Sequence, residues 1–488
     1  MNPVTTNDDG LSPGEGFTDP ATLSLGPDTR IHLIGIGGSG MNGLAQLLIE
    51  RHIPVSGSDL RGGMVCDVLT SMGATVHVGH AAKYVEGADI VVVSNAVPRT
   101  NVERQWAHDH GIPVILRADL LNLLMRGNRR ILISGTHGKT TTTAMTTRIL
   151  QAGGLDPSFA IGGALHAGGN SAHHGSSDVF VAEADEAFRS FIRLRGDCIV
   201  VTNIEMDHHD VFSDEAALHT AFKRFIEVSN PDGPLLICAD DPGSATFGQM
   251  LRKETAYTIA TYGTTDGVDV QITDISHTET GGSSFTITDH TGLLPEPISV
   301  TVAVPGRHNV LNATAALMAA TWAGADWKTG AEGLTAFTGA ARRFQYLGSA
   351  KGIRVVDDYG HHPTELEATV QAAKQANPDG RVVALFQPHR YSRTQAMGKA
   401  LGAALADADL VIVTDIYAAG EAAVPGVTGA LVADGVKEAG GNVRFLPDRS
   451  TLLDVVAGVV QPGDLLLTVG AGDVTEFGPQ LLDHLDGR

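Results

Sequence analysis

A glycine-bearing loop between a predicted strand and a predicted helix carries the strongest chemical signal in the chain. The strand is the apolar run 131–134, and the helix is the Thr-rich stretch 142–150. Loops of this kind direct backbone N–H groups and a helix N-terminus at phosphate oxygens. Lys139 is expected to reach the outer phosphates of a nucleoside triphosphate, and the Thr140 hydroxyl to bind Mg²⁺. The predicted nucleotide-binding residues are Gly135, Thr136, His137, Gly138, Lys139, Thr140 and Thr141.

Two acidic clusters follow the next predicted strands of the same region. Residues 183–186 come after the strand 179–182, and residues 203–210 come after the strand 198–202. Acids at the ligand-binding edge of a sheet are unfavourable unless a cation compensates them. The two clusters beside a phosphate loop therefore predict a Mg²⁺ site, although histidine is not a usual ligand of that ion.

A second glycine motif lies nearer the N-terminus. The sequence G-x-G-x-x-G spans residues 35–40 directly after the strand 31–34, and Asp59 follows the second predicted strand. An acid about 20 residues past such glycines binds the ribose of a dinucleotide, so the motif alone predicts NAD. A ligand-free structural turn is the alternative. Ser94 and Asn95 end a further strand, at the edge where open α/β sheets bind ligands.

Composition limits the class of protein. At 488 residues the chain is expected to form about three domains. The net charge of −21 argues against nucleic acid as a partner. Three scattered cysteines fit a reducing cytoplasm, and no apolar run approaches the roughly 20 residues that cross a membrane. Residues 1–28 are polar and aperiodic, which predicts a disordered tail.

A β-rich stretch, 258–304, precedes the segment 305–313 and an Ala-rich helix. Asn309 suits the start of that helix as an N-cap residue. With His308 and Asn312, it forms a polar set that also suits hydrogen bonding to an adenine edge. The spacing does not decide between these two roles.

Strands and helices alternate again after residue 341, which predicts another mainly parallel sheet. One strand ends in Tyr359 and His361, and the next leads into Arg390 and Arg393. Two arginines at such an edge suit a carboxylate or a phosphate, because the guanidinium group binds both bidentately.

The ordered series of these segments resembles the Mur ligase family of bacterial peptidoglycan synthesis, and in particular its alanine-adding members. The segments that carry the resemblance are 35–41, 135–143, 183–186, 202–203, 207–208, 306–312, 342–344, 357–365, 387–394 and 417–421. The resemblance implies an α/β fold with three domains. These are a Rossmann-like domain for a UDP-sugar (29–126), a central P-loop ATPase-like domain with a mainly parallel sheet plus a small β-rich part (127–340), and a Rossmann-like amino-acid domain (341–488).

The resemblance also implies the reaction. ATP would convert the lactyl carboxylate of UDP-N-acetylmuramate into an acyl phosphate, and L-alanine would then attack it. Two Mg²⁺ ions are expected to assist, and Mn²⁺ is expected to be able to replace them. Lys139 would neutralise the transferring phosphates, Thr140 and Glu183 would hold one Mg²⁺, and His208 would help hold a second. The implied nucleotide contacts add His308 and Asn309. The implied substrate contacts are Gly37, Gly38, Ser39, Gly40, Asp59, Ser94, Asn95, Tyr359, His361, Arg390 and Arg393.

Several alternatives stay open. The residue that deprotonates the amine is His208 or His361. A related ligase that attaches a recycled tripeptide is the nearest alternative activity. An NAD-dependent oxidoreductase and a non-catalytic nucleotide switch represent other classes. We expect a cytoplasmic monomer or homodimer without nucleic-acid or membrane partners. Because the predicted ligand-binding residues lie on three domains, we also expect the domains to close to assemble the active site.

Overall fold

The computed structural model describes residues 16–162, 170–207, 211–254, 257–279, 281–292 and 296–487. The chain divides into two compact units. Unit 1 comprises the described residues of Met1–Gln271, Thr288–Glu296 and Thr314–Gly333. Unit 2 comprises those of Ile272–Ile287, Pro297–Ala313 and Leu334–Arg488.

Five parallel strands form the first sheet of unit 1, in the order β3-β2-β1-β4-β5. The strands are β1 Ile31–Ile34, β2 Val55–Asp59, β3 Thr75–Val78, β4 Ile90–Val93 and β5 Val114–Leu116. The accompanying helices are α1 Ser39–Glu50, α2 Met64–Ser71, α3 Val102–Asp109 and α4 Arg117–Leu124. Because β1 lies between β2 and β4, the winding direction reverses there, and such a switch point is where open α/β sheets bind ligands.

The part of the predicted disordered tail that the structure describes is ordered. Phe17 packs against an apolar cluster of the first sheet, and the guanidinium carbon of Arg104 lies 4.6 Å from its ring centroid. The Thr18 N–H donates to the carbonyl of Val114 at 2.9 Å. Composition predicted disorder over residues 1–28, whereas one half-buried aromatic contact and one backbone hydrogen bond hold residues 16–18 against the domain. Residues 1–15 lie outside the described residues.

Eight strands of the central sheet lie wholly or partly in unit 1, in the order β13-β12-β11-β10-β6-β9-β7-β8. The strands are β6 Arg129–Ser134, β7 Ser158–Ala160, β8 Ala172–His173, β9 Val179–Ala184, β10 Cys198–Val201, β11 Pro234–Cys238, β12 Thr258–Gly263 and β13 Val270–His277. Strand β6 pairs in parallel with both β9 and β10, so the carboxyl ends of these three strands meet at one edge.

Five helices follow along this part of the chain. They are α5 Lys139–Ala152, α6 Glu215–Glu227, α7 Pro242–Glu254, α8 Arg307–Trp322 and α9 Trp327–Thr335. Helix α5 leaves the carboxyl end of β6 and begins at Lys139. The predicted strand–loop–helix arrangement is therefore present around the phosphate loop.

A buried ion pair joins the two sheets of unit 1. Arg193 ends the 3₁₀ helix Ala187–Arg193, and its Nε lies 2.8 Å from Oδ1 of Asp119 in α4. The two side chains are only 9% and 2% exposed. The Nδ2 group of Asn122, one turn further along α4, donates to the Arg193 carbonyl. Residues of both sheets also belong to one apolar core cluster.

Unit 2 is built on the third α/β sheet, with the order β16-β17-β21-β18-β19-β20. Its strands are β16 Gln345–Ala350, β17 Ile353–Asp358, β18 Val382–Phe386, β19 Leu410–Val413, β20 Val443–Phe445 and β21 Leu465–Val469. Its helices are α10 Pro363–Ala376, α11 Tyr391–Leu405, α12 Ala430–Glu438, α13 Leu452–Val459 and α14 Phe477–Asp486. The antiparallel strands β14 Ser283–Asp289 and β15 Ile298–Val302 belong largely to this unit.

The predicted α/β class, with three mainly parallel sheets and a small β-rich part, is confirmed. The exact domain limits 29–126, 127–340 and 341–488 stay predictions. Among the described residues, no helix has both the length and the apolar content needed to cross a membrane.

Candidate functional site

Two glycines give the phosphate loop its shape. Gly135 and Gly138 have φ values of +124° and +84°, a region that residues with side chains rarely adopt. A Cβ on Gly135 would lie 2.1 Å from Oγ1 of Thr202, at the end of the neighbouring strand β10. The loop therefore lies against β10 closely enough that only glycine fits.

Asn203 fixes the loop from the same side. Its Oδ1 accepts from the His137 N–H at 2.8 Å, and its carbonyl accepts from the Thr136 N–H at 3.1 Å. Its Nδ2 donates to the His137 carbonyl at 3.0 Å. The backbone donors of Thr136 and His137 are thus engaged within the protein. The first turn of α5 has no side-chain cap, so its N–H groups are of the kind that bind a phosphate at a helix N-terminus.

Lys139 points into the loop that it follows. Its Nζ donates to the carbonyls of Gly135 at 2.7 Å and Thr136 at 3.1 Å, and to Oε2 of Glu186 at 2.8 Å. Burial alone would lower the lysine pKa, but Glu186 and Asp185 raise it above its ordinary value. The group is therefore a fixed positive charge at the position where the outer phosphates of a nucleotide would lie.

Thr140 and Glu183 meet beside the lysine. Thr140 Oγ1 donates to Glu183 Oε2 at 3.3 Å, and the other carboxylate oxygen accepts from the Gly162 N–H at 2.7 Å. A hydroxyl and a carboxylate within hydrogen-bonding distance are hard oxygen ligands, which fit Mg²⁺. Thr141, the next predicted residue, is buried in the first turn of α5. His208 lies outside the described residues, so its predicted metal role stays a prediction.

The N-terminal glycine loop lies at the switch point of the first sheet. Gly35 has φ +80°, and the Gly37 N–H donates to Oδ2 of Asp59 at 3.0 Å. Gly38 precedes α1 as its N-cap, and Ser39 and Gly40 form the first turn of that helix. Asp59 therefore stabilises the glycine loop by a hydrogen bond to a residue 22 positions earlier in the chain.

Ser94 and Asn95 follow β4, the strand on the other side of the switch point. Ser94 is half-buried and Asn95 is exposed. The carboxyl ends of β1 and β4 thus bring the glycine loop and this small polar pair to one edge, as the sequence predicted.

Helix α8 begins earlier than the N-cap prediction for Asn309 requires. The helix begins at Arg307, so Asn309 lies within its first turn. The Asn309 Nδ2 donates to the Pro305 carbonyl at 2.7 Å, and its Oδ1 accepts from Nδ2 of Asn312 at 3.3 Å. Both asparagines are buried, whereas His308 is exposed. The Asn309 amide is thus engaged within the helix start, and the adenine contact of this set stays a prediction.

In unit 2, Tyr359 and His361 follow β17 and begin a chain of ring contacts. The ring centroids of Tyr359 and His361 are 5.3 Å apart, and those of His361 and His389 are 6.4 Å apart. His389 stacks on Tyr417 at 5.8 Å. The guanidinium carbon of Arg342 lies 4.8 Å from the Tyr359 ring centroid. These contacts hold the predicted amino-acid residues at one edge of the sheet.

Arg390 and Arg393 lie at the start of α11, next to His389. Arg390 precedes the helix with φ +70°, a strained conformation for a residue with a side chain, and its N–H donates to the Tyr417 carbonyl at 2.9 Å. Burial lowers the pKa of His389 to about 3, together with the nearby His361, Arg393 and Arg390. Two guanidinium groups therefore lie at this end of α11 beside a neutral His389, together with the carboxylate of Glu421, which accepts from the N–H and Oγ of Ser392 at 3.0 and 2.6 Å.

Asp358, at the end of β17, was not singled out from the sequence. Its carboxylate accepts from the N–H groups of Phe344 and Gly360, each at 2.8 Å. Burial raises its pKa to about 6, although Arg343 and these two donors oppose the rise. The residue holds together the turn that presents Tyr359 and His361.

Three family models match the chain in order. They are described as the Mur ligase family catalytic domain (residues 30–129), the Mur ligase middle domain (133–320) and the Mur ligase glutamate ligase domain (342–472). The three matched ranges correspond to the three sheets, and all three models describe Mur ligases. The NAD-dependent oxidoreductase alternative is therefore not retained.

Relatives cover nearly the whole chain. A protein of Kineococcus radiotolerans named UDP-N-acetylmuramate–L-alanine ligase is 46% identical over 94% of this chain and 97% of its own length. A protein of the same name from Streptomyces griseus is 43% identical over 93% and 97%, respectively. The solved UDP-N-acetylmuramate-alanine ligase of Thermotoga maritima is 26% identical, covers 94% of this chain and 99% of its own, and has a TM-score of 0.77. The chain belongs to the Mur ligase family and is an ATP-dependent ligase that forms amide bonds.

Proposed function

We propose that the protein joins L-alanine to the lactyl carboxylate of UDP-N-acetylmuramate, with cleavage of ATP to ADP and phosphate. The arrangement that carries the proposal is the phosphate loop with Lys139 held at its centre and Thr140 beside Glu183. The names of the relatives from Kineococcus, Streptomyces and Thermotoga support the choice of substrates.

A free carboxylate resists attack by an amine because oxide is a poor leaving group. In the proposed first step, a carboxylate oxygen attacks the γ-phosphorus and ADP leaves. The amine of alanine then attacks the carbonyl carbon of the acyl phosphate, and phosphate leaves with one of the original carboxylate oxygens. The proton released from the amine passes to a base, for which His208 and His361 are the candidates.

Lys139 stabilises the negative charge of the transferring phosphoryl group, since it is a fixed cation in a nearly closed loop. Thr140 and Glu183 would hold Mg²⁺, which supplies charge neutralisation to the phosphates. The N–H groups of α5 orient the phosphates, as helix N-termini do.

The glycine loop 35–40, with Ser94 and Asn95, would bind the sugar nucleotide. Arg390 and Arg393 would bind the alanine carboxylate, because a guanidinium group can donate two parallel hydrogen bonds to a carboxylate. Tyr359 and His361 would shape the pocket for the amino-acid side chain. We further propose a cytoplasmic enzyme that is a monomer or a homodimer.

The test is the mass of the product formed from ATP, UDP-N-acetylmuramate and a panel of amino acids and the tripeptide. The proposal expects an alanine amide, with one ADP released per amide. If the lactyl carboxylate carries ¹⁸O, one labelled oxygen should appear in the released phosphate. An amide formed only with the tripeptide, or unlabelled phosphate, would overturn the proposal.

A further inference from the structure

Arg117 lies at the same sheet edge as the N-terminal glycine loop. It is the first residue of α4 and follows β5, whose neighbour β4 pairs with β1. The carboxyl ends of β1, β4 and β5 therefore place Arg117 on the side of the sheet that carries residues 35–40. Its side chain is half-buried. No motif in the sequence points to this arginine.

The guanidinium group of Arg117 occupies the space beside Gly40. A Cβ on Gly40 would lie 2.9 Å from Nη1 of Arg117 and 3.1 Å from its Cζ. The third glycine of a G-x-G-x-x-G motif usually allows close packing between helix and strand. Here the atoms nearest to the missing side chain belong to an arginine.

The charge of Arg117 is in an unfavourable place without a ligand. Gly40 lies in the first turn of α1, where the helix dipole and the free N–H groups are positive. Within the ranges that the structure describes, no hydrogen bond or ion pair to Arg117 is found. The acid of the loop, Asp59, accepts from Gly37. A bound anion would satisfy the arginine and the helix N-terminus together.

We propose that Arg117 binds a phosphate of the sugar nucleotide's diphosphate, and that position 40 is glycine because the arginine needs that space. A guanidinium group presents paired N–H donors that match two phosphate oxygens. The inference rests on the proposed function, because it takes a UDP-sugar as the ligand of this loop.

Calorimetric binding of UDP to the full-length protein tests the proposal. Arg117→Met should weaken UDP binding about 10- to 100-fold, the range expected for charge-assisted hydrogen bonds. Arg117→Lys keeps the charge without the paired donors and should fall between wild type and Arg117→Met. Binding of ADP with Mg²⁺ should stay within twofold in both variants.

A matched control removes a positive charge from the far end of α1, the helix whose first turn contains Gly40. Arg51 follows α1 directly, about 18 Å from its start for 12 residues. Arg51→Met should leave UDP binding within twofold. Equal loss from Arg51→Met and Arg117→Met would reduce the effect to net charge and overturn the specific contact.

A double-mutant cycle tests the role of Gly40. Gly40→Ala should weaken UDP binding about tenfold in the wild type, since the new methyl group displaces the arginine. In an Arg117→Ala background, the same change should have little further effect. An equal loss in both backgrounds would mean that Gly40 serves only the packing of the loop.

The outcomes distinguish an error in the ligand proposed for the glycine loop from an error in the contact proposed for Arg117. No UDP binding by the wild type would contradict the proposed ligand of the loop. Wild-type binding with an unchanged Arg117→Met affinity would overturn the inference alone. Unchanged affinity for UDP with weaker binding of UDP-N-acetylmuramate would assign Arg117 to the lactyl carboxylate instead. Thermal unfolding of each variant, with Arg117→Lys as the mildest change, identifies loss of folding.

Discussion

The ammonium group of Lys139 lies 2.8 Å from Oε2 of Glu186, a carboxylate that follows strand β9. The Glu186 side chain is 2% exposed and that of Lys139 is 12% exposed. The pair is therefore shielded from solvent, and Glu186 compensates the lysine charge together with Asp185, whose Oδ1 lies 3.5 Å from the ammonium group. Before a nucleotide arrives, Glu186 holds the lysine at the centre of the loop.

Lys139→Ala should lower turnover by at least about three orders of magnitude, because a preorganised charge on the transferring phosphoryl group is lost. UDP binding should stay within twofold, since the glycine loop 35–40 is on another sheet. Phosphate release and UDP calorimetry measure the two properties. A parallel fall in both would contradict the separation of the two nucleotide sites.

Replacing Lys139 with Met also leaves the Glu186 carboxylate buried without the ammonium group that lies 2.8 Å from it. Removing one partner of a buried pair costs about 3–5 kcal/mol of stability. Lys139→Met should therefore unfold more easily than the Lys139→Met/Glu186→Gln double variant, as measured by denaturant titration. If the double variant is no more stable than the single one, the pair does not carry that energy.

Glu183→Gln should raise the Mg²⁺ concentration needed for half-maximal activity by about tenfold or more. The amide keeps the size of the side chain and an oxygen for the Gly162 N–H, but it lacks the negative charge that attracts the ion. Excess Mg²⁺ should restore most of the activity. Asp185→Asn is the control, because Asp185 belongs to the same acidic cluster and lies 3.5 Å from the Lys139 ammonium, but it is not among the individual ligands predicted for Mg²⁺.

Asp358 should make unfolding depend on pH. Its folded-state pKa of about 6 lies above the usual 3.8, so between about pH 4 and pH 6 the folded protein binds more protons than the unfolded chain. The free energy of unfolding should therefore fall as pH rises through this window, by about 3 kcal/mol in total for this group. Asp358→Asn should flatten that part of the profile. An unchanged slope in the variant would contradict the assignment.

Arg390→Lys should raise the KM for alanine by about 10- to 100-fold, because a point charge replaces the paired donors of a guanidinium group. The KM values for ATP and the sugar nucleotide should change less than threefold. Steady-state kinetics with each substrate varied in turn measure this. A rise confined to the ATP KM would move the arginine to the phosphate that is transferred.

The sequence was sufficient for features that depend on local chemistry. Apolar runs followed by glycine predicted β1 and β6 with their loops, because buried parallel strands are continuously apolar and tight turns need positive φ. The acid Glu183 was predicted beside Thr140 because neighbouring parallel strands end at the same edge. Residues 359–361 and 389–393 were placed at one edge of the third sheet for the same reason, because each segment follows a parallel strand.

Features that depend on distant partners were not predictable in this way. Glu186 binds a lysine 47 residues earlier in the chain, and Asn203 fixes a loop 66 residues away. Several acids and amides lie near each of these partners in the sequence. Which of them makes the contact depends on the register of the neighbouring strands, and the sequence pattern does not give that register. The order of residues 16–18 was missed because one aromatic side chain outweighs a disorder-prone composition.

The buried pair of Asp119 and Arg193 has a consequence for how the enzyme can vary. Helix α4 places Arg117 at its first residue and Asp119 two residues later, and the latter is bonded to the segment that leaves the Lys139 site through Glu186. Helix α4 therefore contacts both the proposed sugar-nucleotide loop and the segment next to the proposed ATP site. A substitution that reorients α4 should alter both sites, so we expect substitutions that shift this helix to be tolerated only when both sites adjust.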